Sequence, residues 1–331
     1  MKYKNRYDKI RKKLFVRGDF FVKINISEEY QGKSVKDILK DVLKFPLSTI
    51  TFLKSRDRGI VLNGERVTVR KTVKVGDILE LEYTDDKTVA ELSSITPVNI
   101  PLDIIYQDDD IIALNKPPFM PTHPSHNHQD DTLANALRYY FDSLDIPFIF
   151  RAVNRLDNRT SGIVLVAKNR LSAGKLSDDI AKKKISKSYL AVLHGKLDCE
   201  SGEICAPIKR EQDSIIKRTV SEDGAYSLTK YQTIFSNDMY SLVSASPITG
   251  RTHQLRLHFS HIGHPICGDT LYGYPSEFIG RQALHAYKLE FTHPTSGQEI
   301  TLTAKPPRDF LDLCETVFGK SVTDLERLFE E

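Results

Sequence analysis

One carboxylate stands out for the company it keeps. Asp157 lies in Asn154-Arg155-Leu156-Asp157-Asn158-Arg159-Thr160-Ser161-Gly162, flanked by two guanidinium-bearing residues and followed at once by the apolar run Ile163-Val164-Leu165-Val166-Ala167. Such an anion can be a nucleophile, a general base, one half of a salt bridge, or a turn residue capping nearby amides. A second such stretch is Thr249-Gly250-Arg251-Thr252-His253-Gln254-Leu255-Arg256-Leu257-His258. Two arginines and two histidines in so short a run are costly to bury without partners, so it belongs to a ligand-facing or ion-paired site. Read as extended chain, it puts His253, Leu255 and Leu257 on one side and Gln254, Arg256 and His258 on the other.

Other chemistries find little support. His123, His126 and His128 match no standard zinc spacing, and Gly263 and Pro265 break any long helix that could align His258, His261 and His264. No metal is expected. Cys199, Cys205, Cys267 and Cys314 are scattered without a Cys-x-x-Cys pair, which speaks against a disulfide framework or a zinc ribbon. Neither a dinucleotide fingerprint nor a phosphate-binding loop occurs.

The elements that must position these residues follow from periodicity. Gly162 reads as a hinge into a strand over 163–167; residues 169–185 read as a helix, and 187–195, with Tyr189, as a strand. Ile104-Ile105-Tyr106 and Ile111-Ile112-Ala113-Leu114 flank an acidic turn and form a hairpin. The prolines of Asn115-Lys116-Pro117-Pro118 and Thr122-His123-Pro124 hold Lys116 and His123 on an irregular rim.

At 331 residues the chain is long enough for two domains. Residues 1–18 form a basic tail. Residues 19–83 form a compact unit: Val35, Ile38, Leu39, Val42 and Leu43 recur at helical spacing, Pro46-Leu47-Ser48 opens a second helix, and Asn63-Gly64 marks a hairpin turn. Lys54, Arg56 and Arg58 beyond that helix could meet phosphates or simply mark an exposed helix end. Residues 84–100, polar and poor in large apolar groups, read as a linker, and 101–331 as the larger domain, closing with a C-terminal helix. The net charge of +3 is too mild to identify a nucleic-acid binder by itself. No apolar stretch nears the roughly 18–20 residues of a bilayer span, and Leu14-Phe15-Val16 is too short for a secretory core, so a cytoplasmic protein is expected.

Taken in order, the motifs resemble a family. Arg155-Leu156-Asp157 with Thr160-Ser161-Gly162 is similar to the signature H-R-L-D-x-x-T-S-G of RluA-type (RluD-like) pseudouridine synthases, with Asn154 where the family usually has His. Asn115-Lys116-Pro117, His123-Pro124, the Tyr189 strand, the 250–256 run, the 261–273 stretch and Leu284-His285-Ala286 continue the likeness, and residues 19–83 resemble the ribosomal-protein-like RNA-binding domain that precedes such catalytic domains. The resemblance implies an α+β chain: a pseudouridine synthase fold, with a mixed, mostly antiparallel sheet and flanking helices, preceded by a small α/β RNA-binding domain.

It also implies an activity. Pseudouridine formation breaks the uracil–ribose carbon–nitrogen bond, turns the ring and rejoins it through carbon 5, with no redox change and no cofactor. In the family the aspartate is the essential catalyst, which maps to Asp157. A basic residue pairing with it maps to Arg256, and an active-site tyrosine that can sandwich the uracil maps to Tyr189. The target must leave its stack, which costs a few kcal/mol. Arg155 is a candidate to fill the vacated space, and Arg251, His253, Lys116, His123, Lys54, Arg56 and Arg58 are candidates for RNA contact. Large-subunit ribosomal RNA is the first choice of substrate and transfer RNA the second. The competing readings are an inactive RNA-binding protein and a carboxylate-dependent hydrolase, which would need a second carboxylate that no local motif supplies.

Overall fold

The computed structural model describes residues 12–16, 19–43, 45–82 and 95–319. The first residues of the basic tail, most of the linker and the chain beyond residue 319 lie outside the described residues. The tail's Lys12–Val16 is nevertheless a strand, β1, paired antiparallel with β2 (Asp19–Asn25).

The small domain continues with α1 (Val35–Asp37), which runs into a π-helical segment Ile38–Val42, and α2 (Leu47–Lys54). Ser34 caps α1 by accepting from the Asp37 amide (3.2 Å) while the Asp37 carboxylate accepts from the Ser34 amide (3.0 Å). β3 (Ile60–Leu62), β4 (Glu65–Arg66) and β5 (Ile78–Glu82) complete a sheet ordered β1-β2-β5-β3-β4. The turn between β3 and β4 is Asn63-Gly64, both at positive φ, as the sequence predicts. Val35, Ile38, Leu39 and Leu53 close the core over that sheet.

In the larger domain, β6 (Ile104–Gln107) and β7 (Ile111–Lys116) form the expected hairpin, followed by α3 (Leu133–Asp142), β8 (Ser161–Ala167), α4 (Arg170–Ala181) and β9 (Ser186–His194). Then come β10 (Ser201–Cys205), β11 (Ile208–Arg210), β12 (Arg218–Val220), β13 (Leu228–Ser236), β14 (Tyr240–Pro247) and α5 (Gln254–His261). β15 (Leu284–Thr292), β16 (Glu299–Thr303) and α6 (Arg308–Phe318) end the described chain. Nine strands form one sheet, β10-β13-β14-β9-β15-β8-β7-β6, with β16 also on β15; the β15–β8 pair is parallel and the others are antiparallel.

Burial on both faces explains why β7 and β8 read as unbroken apolar runs. Ile112, Leu114, Val164 and Val166 face Leu133, Leu137 and Phe141 of α3. Ile111, Ala113, Ile163 and Leu165 face the other way, towards Leu176 of α4. That sandwich makes β8 a stiff support for the polar loop preceding it. The small domain meets this body where α2 packs against α4. Leu171 joins the small domain's core, Arg170 lies over the Phe52 ring at 4.0 Å, and a Cβ on Gly174 would sit 3.0 Å from Thr49 Oγ1.

Candidate active site

The loop bearing Asp157 is pinned at both ends. Asn154 is buried and bridges β8: its amide nitrogen donates to Ile163 O (2.9 Å), and its oxygen accepts from Leu165 N (2.8 Å). At the far end Gly162 has φ +117°, and a Cβ there would lie 2.2 Å from Ala286 O, so only glycine lets β8 pass β15 this closely. Between them Leu156 is buried, its carbonyl accepting from Thr122 Oγ1 (3.2 Å), and Thr160 accepts from Gln282 Nε2 (3.1 Å). Asp157 is left at the edge, its side chain 32% exposed.

Its partner comes from far along the chain. The 249–258 stretch is not extended: its first residues form a loop, and from Gln254 it is helical, with His253 left-handed at the N-cap (φ 58°). Gln254 drives that shape. Its oxygen accepts from Arg251 N (3.1 Å) and Thr249 Oγ1 (2.7 Å), and its nitrogen donates to Leu228 O (2.9 Å). The apolar–polar alternation that suggested a strand is instead a helix start buried on several sides. Arg256, on α5, donates through Nη1 to Asp157 Oδ2 at 3.2 Å. Its other edge is a fork on Asp269, Nε to Oδ2 at 2.6 Å and Nη2 to Oδ1 at 2.8 Å.

The electrostatics follow from this chain of charges. Burial opposes the Arg256 charge, but Asp269 and Asp157 outweigh it and raise the guanidinium's pKa. Burial likewise works against Asp269, yet Arg256 and the Leu271 and Tyr272 amides hold its carboxyl below the usual range. His253 Nε2 stands 3.7 Å from Asp157 Oδ2. Burial depresses the imidazole's pKa, with Asp157 opposing, so the ring is neutral at neutral pH. Tyr272 Oη accepts from Arg218 N (2.9 Å) and lies 2.9 Å from His253 Nδ1. When the phenol donates to Nδ1, the neutral imidazole carries its proton on Nε2, towards Asp157.

Tyr189 stands on β9, between Ala245 of β14 and Ala286 of β15, and packs against two of the hydrophobic clusters of the larger domain. Burial, reinforced by the Asp157 charge, raises its phenol pKa well above the ordinary value. The site therefore joins a carboxylate, a guanidinium locked from behind, a neutral imidazole and a neutral phenol.

The remaining candidates divide. Lys116 is not at an RNA-facing rim. It is fully buried, and Nζ donates to Pro117 O (2.9 Å), Met120 O (2.8 Å) and Asn158 O (3.3 Å). Burial and the Arg281 charge push its pKa down to about 7, against the pull of Asp157. It ties the proline-rich loop to the aspartate loop from inside. Arg155 and Arg159 are exposed, and neither is the ion-pair partner of Asp157; Arg159 lies over the Phe119 ring at 5.9 Å. His123 is half-buried, edge-on to Phe150 at 4.9 Å, and burial and the Arg155 charge lower its pKa. Arg251 is exposed and donates to Tyr226 O (3.3 Å). Lys54, Arg56 and Arg58 lie at and beyond the end of α2, Arg56 over Phe52 at 5.5 Å and Arg58 3.6 Å from Glu82. His128 pairs with Asp131 at 2.6 Å, and His258 bonds to Ala206 O at 3.0 Å.

Two residues escaped the sequence reading. Asp269 looked like an ordinary turn acid in Cys267-Gly268-Asp269. Arg281, in Gly280-Arg281-Gln282, was not singled out; it is fully buried and donates to Arg159 O at 3.1 Å. A charge partner distant in sequence was the missing signal for each, and only the fold supplies it.

Comparison with known proteins agrees with the geometry. A family model described as RNA pseudouridylate synthase matches residues 110–261, and one described as the RluD ribosomal pseudouridine synthase N-terminal domain matches residues 22–79. An uncharacterized RNA pseudouridine synthase of Bacillus subtilis (strain 168), YjbO, is 39% identical over 80% of this chain and 92% of its own length. The ribosomal large subunit pseudouridine synthase D of Blochmanniella floridana is 33% identical over 78% of this chain and 86% of its own. Among solved structures, human RNA pseudouridylate synthase domain containing 1 superposes with a TM-score of 0.53 at 28% identity, over 70% of this chain and 95% of that one.

Proposed function

The chain belongs to the RNA pseudouridine synthase family, and on that premise we propose that it isomerises uridines of large-subunit ribosomal RNA with Asp157 as catalyst. The observation that carries the catalytic assignment is the Asp269–Arg256–Asp157 relay. A fully buried carboxylate orients a guanidinium whose remaining nitrogen fixes a partly exposed carboxylate. A carboxylate held this way can attack a sugar or base carbon, or remove a proton, without spending time in unproductive rotamers.

Around it, Tyr189 offers a ring for the detached uracil to lie against while it turns, and its raised pKa keeps the hydroxyl protonated. His253 presents its Nε2–H towards the carboxylate oxygen that Arg256 also holds. Arg155, exposed two residues before the catalyst, can occupy the gap left by the flipped nucleotide. The ribosomal substrate is supported by the residue 22–79 match and by relatives named for the large ribosomal subunit. With that substrate the enzyme works in the cytoplasm.

Isomerisation replaces the hydrogen on carbon 5 of uracil by ribose, so tritium placed there escapes to water. The test is tritium release from ribosomal RNA and, separately, transfer RNA. The proposal expects release from large-subunit RNA with wild type, and none with Asp157→Asn although that variant still retains RNA on a filter. Release from transfer RNA alone overturns the substrate; undiminished release by Asp157→Asn overturns the catalyst.

A further inference from the structure

The loop that follows α5 turns at Cys267-Gly268-Asp269 and is pressed onto buried Arg281: Gly268 has φ 74°, and a Cβ there would lie 2.2 Å from Arg281 O. Tyr272, at the end of that turn, touches each group that stands behind Asp157. Its amide donates to Asp269 Oδ1 (3.2 Å), the oxygen that also accepts from Arg256 Nη2, and its carbonyl accepts from Ser260 Oγ of α5 (2.5 Å). The Arg256 guanidinium lies over its ring, 5.2 Å from the centroid. Its hydroxyl accepts from the amide of Arg218, the first residue of β12, and stands 2.9 Å from His253 Nδ1, the two rings meeting edge to face. The 261–273 stretch drew attention in the sequence, but no role for this residue came with it.

We propose that Tyr272 is a positioning residue for Asp157 that acts through His253: its hydroxyl donates to Nδ1, which puts the ring proton on Nε2, facing Oδ2 of the carboxylate, and leaves Oδ1 to the substrate. The proposal rests on the reading of the chain as a pseudouridine synthase with Asp157 as catalyst and adds a residue to that site. Three observations support it.

The first is hydrogen-bond accounting. A phenol has one proton to give, and the Arg218 amide, held by the pairing of β12 with β11, can only donate to it. Among the described residues Nδ1 is the acceptor left for the hydroxyl proton, and accepting from an amide makes a hydroxyl the stronger donor. The second is the sign of the contact with Asp157. Nε2 stands 3.7 Å from Oδ2, beyond hydrogen-bond length, so the ring acts there through the local dipole of its nitrogen. An N–H aimed at the carboxylate attracts it, whereas a lone pair repels it. Burial, helped by the charges of Arg256 and Arg218 and opposed by those of Asp157 and Asp269, lowers the imidazole's pKa, so the ring is neutral and its tautomer decides which of these holds. With the His253 side chain 11% exposed, water screens the effect little. The third is aim. Arg256 Nη1 holds the same Oδ2 at 3.2 Å, and a second attractive group on that oxygen fixes the rotation of the carboxylate.

The test uses the full chain with isotopically labelled histidine nitrogens, whose couplings to the ring protons tell the two tautomers apart in NMR spectra. His253, identified by the signal missing from His253→Gln, is expected to carry its proton on Nε2 in wild type. It is expected to shift towards the Nδ1–H form in Tyr272→Phe, which keeps the ring and both main-chain bonds. A proton on Nδ1 in wild type overturns the proposal without recourse to any variant. In tritium release from large-subunit ribosomal RNA, Tyr272→Phe is expected to lower kcat about tenfold with KM within about twofold of wild type. Added to His253→Gln, the same substitution is expected to change kcat by less than about twofold, because a residue that acts through another has no effect once the other is gone. Wild-type kcat in Tyr272→Phe, or an equal loss in both backgrounds, overturns the proposal, as does a loss matched by a lower unfolding temperature with the tautomer unchanged. The two proposals fail separately: tritium release with His253 protonated on Nδ1 rejects the role of Tyr272 alone, and an Nε2–H ring without tritium release from any RNA rejects the enzymatic reading.

Discussion

Two buried arginines grip the same loop, and they grip it differently. Arg256 forks onto Asp269 and spends its third nitrogen on the Asp157 carboxylate. Arg281 forks onto Asp309 (2.7 and 2.9 Å) and spends its third nitrogen on the main-chain carbonyls of Arg159, Gln282 and Leu284. The first arrangement ends on a group that can do chemistry and the second on groups that cannot. Their anchors differ too: the Asp269 side chain is fully buried, whereas that of Asp309 is 37% exposed. One fork therefore ties the charge balance of the interior to the carboxylate proposed as catalyst, while the other fixes backbone with a partner that water can reach.

The largest effect that sharpens this contrast is expected from Arg256→Met. It frees Asp157 and strands Asp269 as an unpaired buried carboxylate, so stability falls by about 3–5 kcal/mol. Activity measured below the unfolding transition falls by about 10²–10³-fold, the usual loss when a preorganised charge partner is removed. Adding Asp269→Asn removes the stranded charge while keeping an acceptor for the Leu271 and Tyr272 amides (3.0 and 3.2 Å). Denaturant midpoints are expected to recover in the double variant and tritium release is not. Recovery of both would make the relay structural only.

Arg281→Met is expected to lose about 3 kcal/mol, the low end for a broken buried pair, because Asp309 can rehydrate while three carbonyls lose a donor. Only the Arg159 carbonyl belongs to the loop that carries Asp157, so kcat should fall less than about tenfold. A loss of activity as deep as that of Arg256→Met, in protein that is still folded, would erase the distinction between the two forks.

Why one fork was legible and the other was not is a matter of what sequence spacing encodes. The support strand showed itself, since a β-branched run after Gly162 has few alternatives, and the hairpin turn at Asn63-Gly64 needs positive φ at both residues. Arg256 pairs with Asp157 across 99 positions, a contact no local pattern specifies; resemblance to a family pointed to it. Asp269 and Arg281 belong to turn-like segments whose burial depends on what the fold lays over them. Lys116 was misplaced for the same reason, since three carbonyls from two loops converge on it only after both loops are in position. Alternation misled at 253–258, where a helix start buried on several sides imitates a strand.

The histidines give a pH test of the same division. His285 lies on the structural side: Nδ1 is 3.0 Å from Ser161 Oγ, Nε2 is 3.0 Å from Ala304 O, and burial holds its pKa down to about 4 from 6.5. A depressed histidine means the unfolded chain binds the extra proton first, so stability is lost as pH falls from 6.5 towards 4 and is flat for this group below that. The loss amounts to about 2 kcal/mol by pH 5. His285→Gln should flatten that part of the pH–stability curve without changing the pH dependence of kcat. His253, beside Asp157, is the group whose replacement should change the latter.

The smallest effect is expected at Asn154, where the family usually has histidine. The amide points nitrogen and oxygen forward together, which is how it serves Ile163 O and Leu165 N at once (2.9 and 2.8 Å). The two nitrogens of an imidazole diverge, so Asn154→His keeps one of these bonds and exchanges the other for a weaker contact. One lost hydrogen bond amounts to about 1 kcal/mol, and the loop stays pinned by Thr122, Gln282 and Arg281. Stability should therefore drop by no more than that, with tritium release within about threefold of wild type. Asn154→Leu, which orphans both backbone groups, should cost visibly more. Equal behaviour of the two variants would mean that the anchor of the loop is not this residue but the loop's contacts to Thr122, Gln282 and the two arginines.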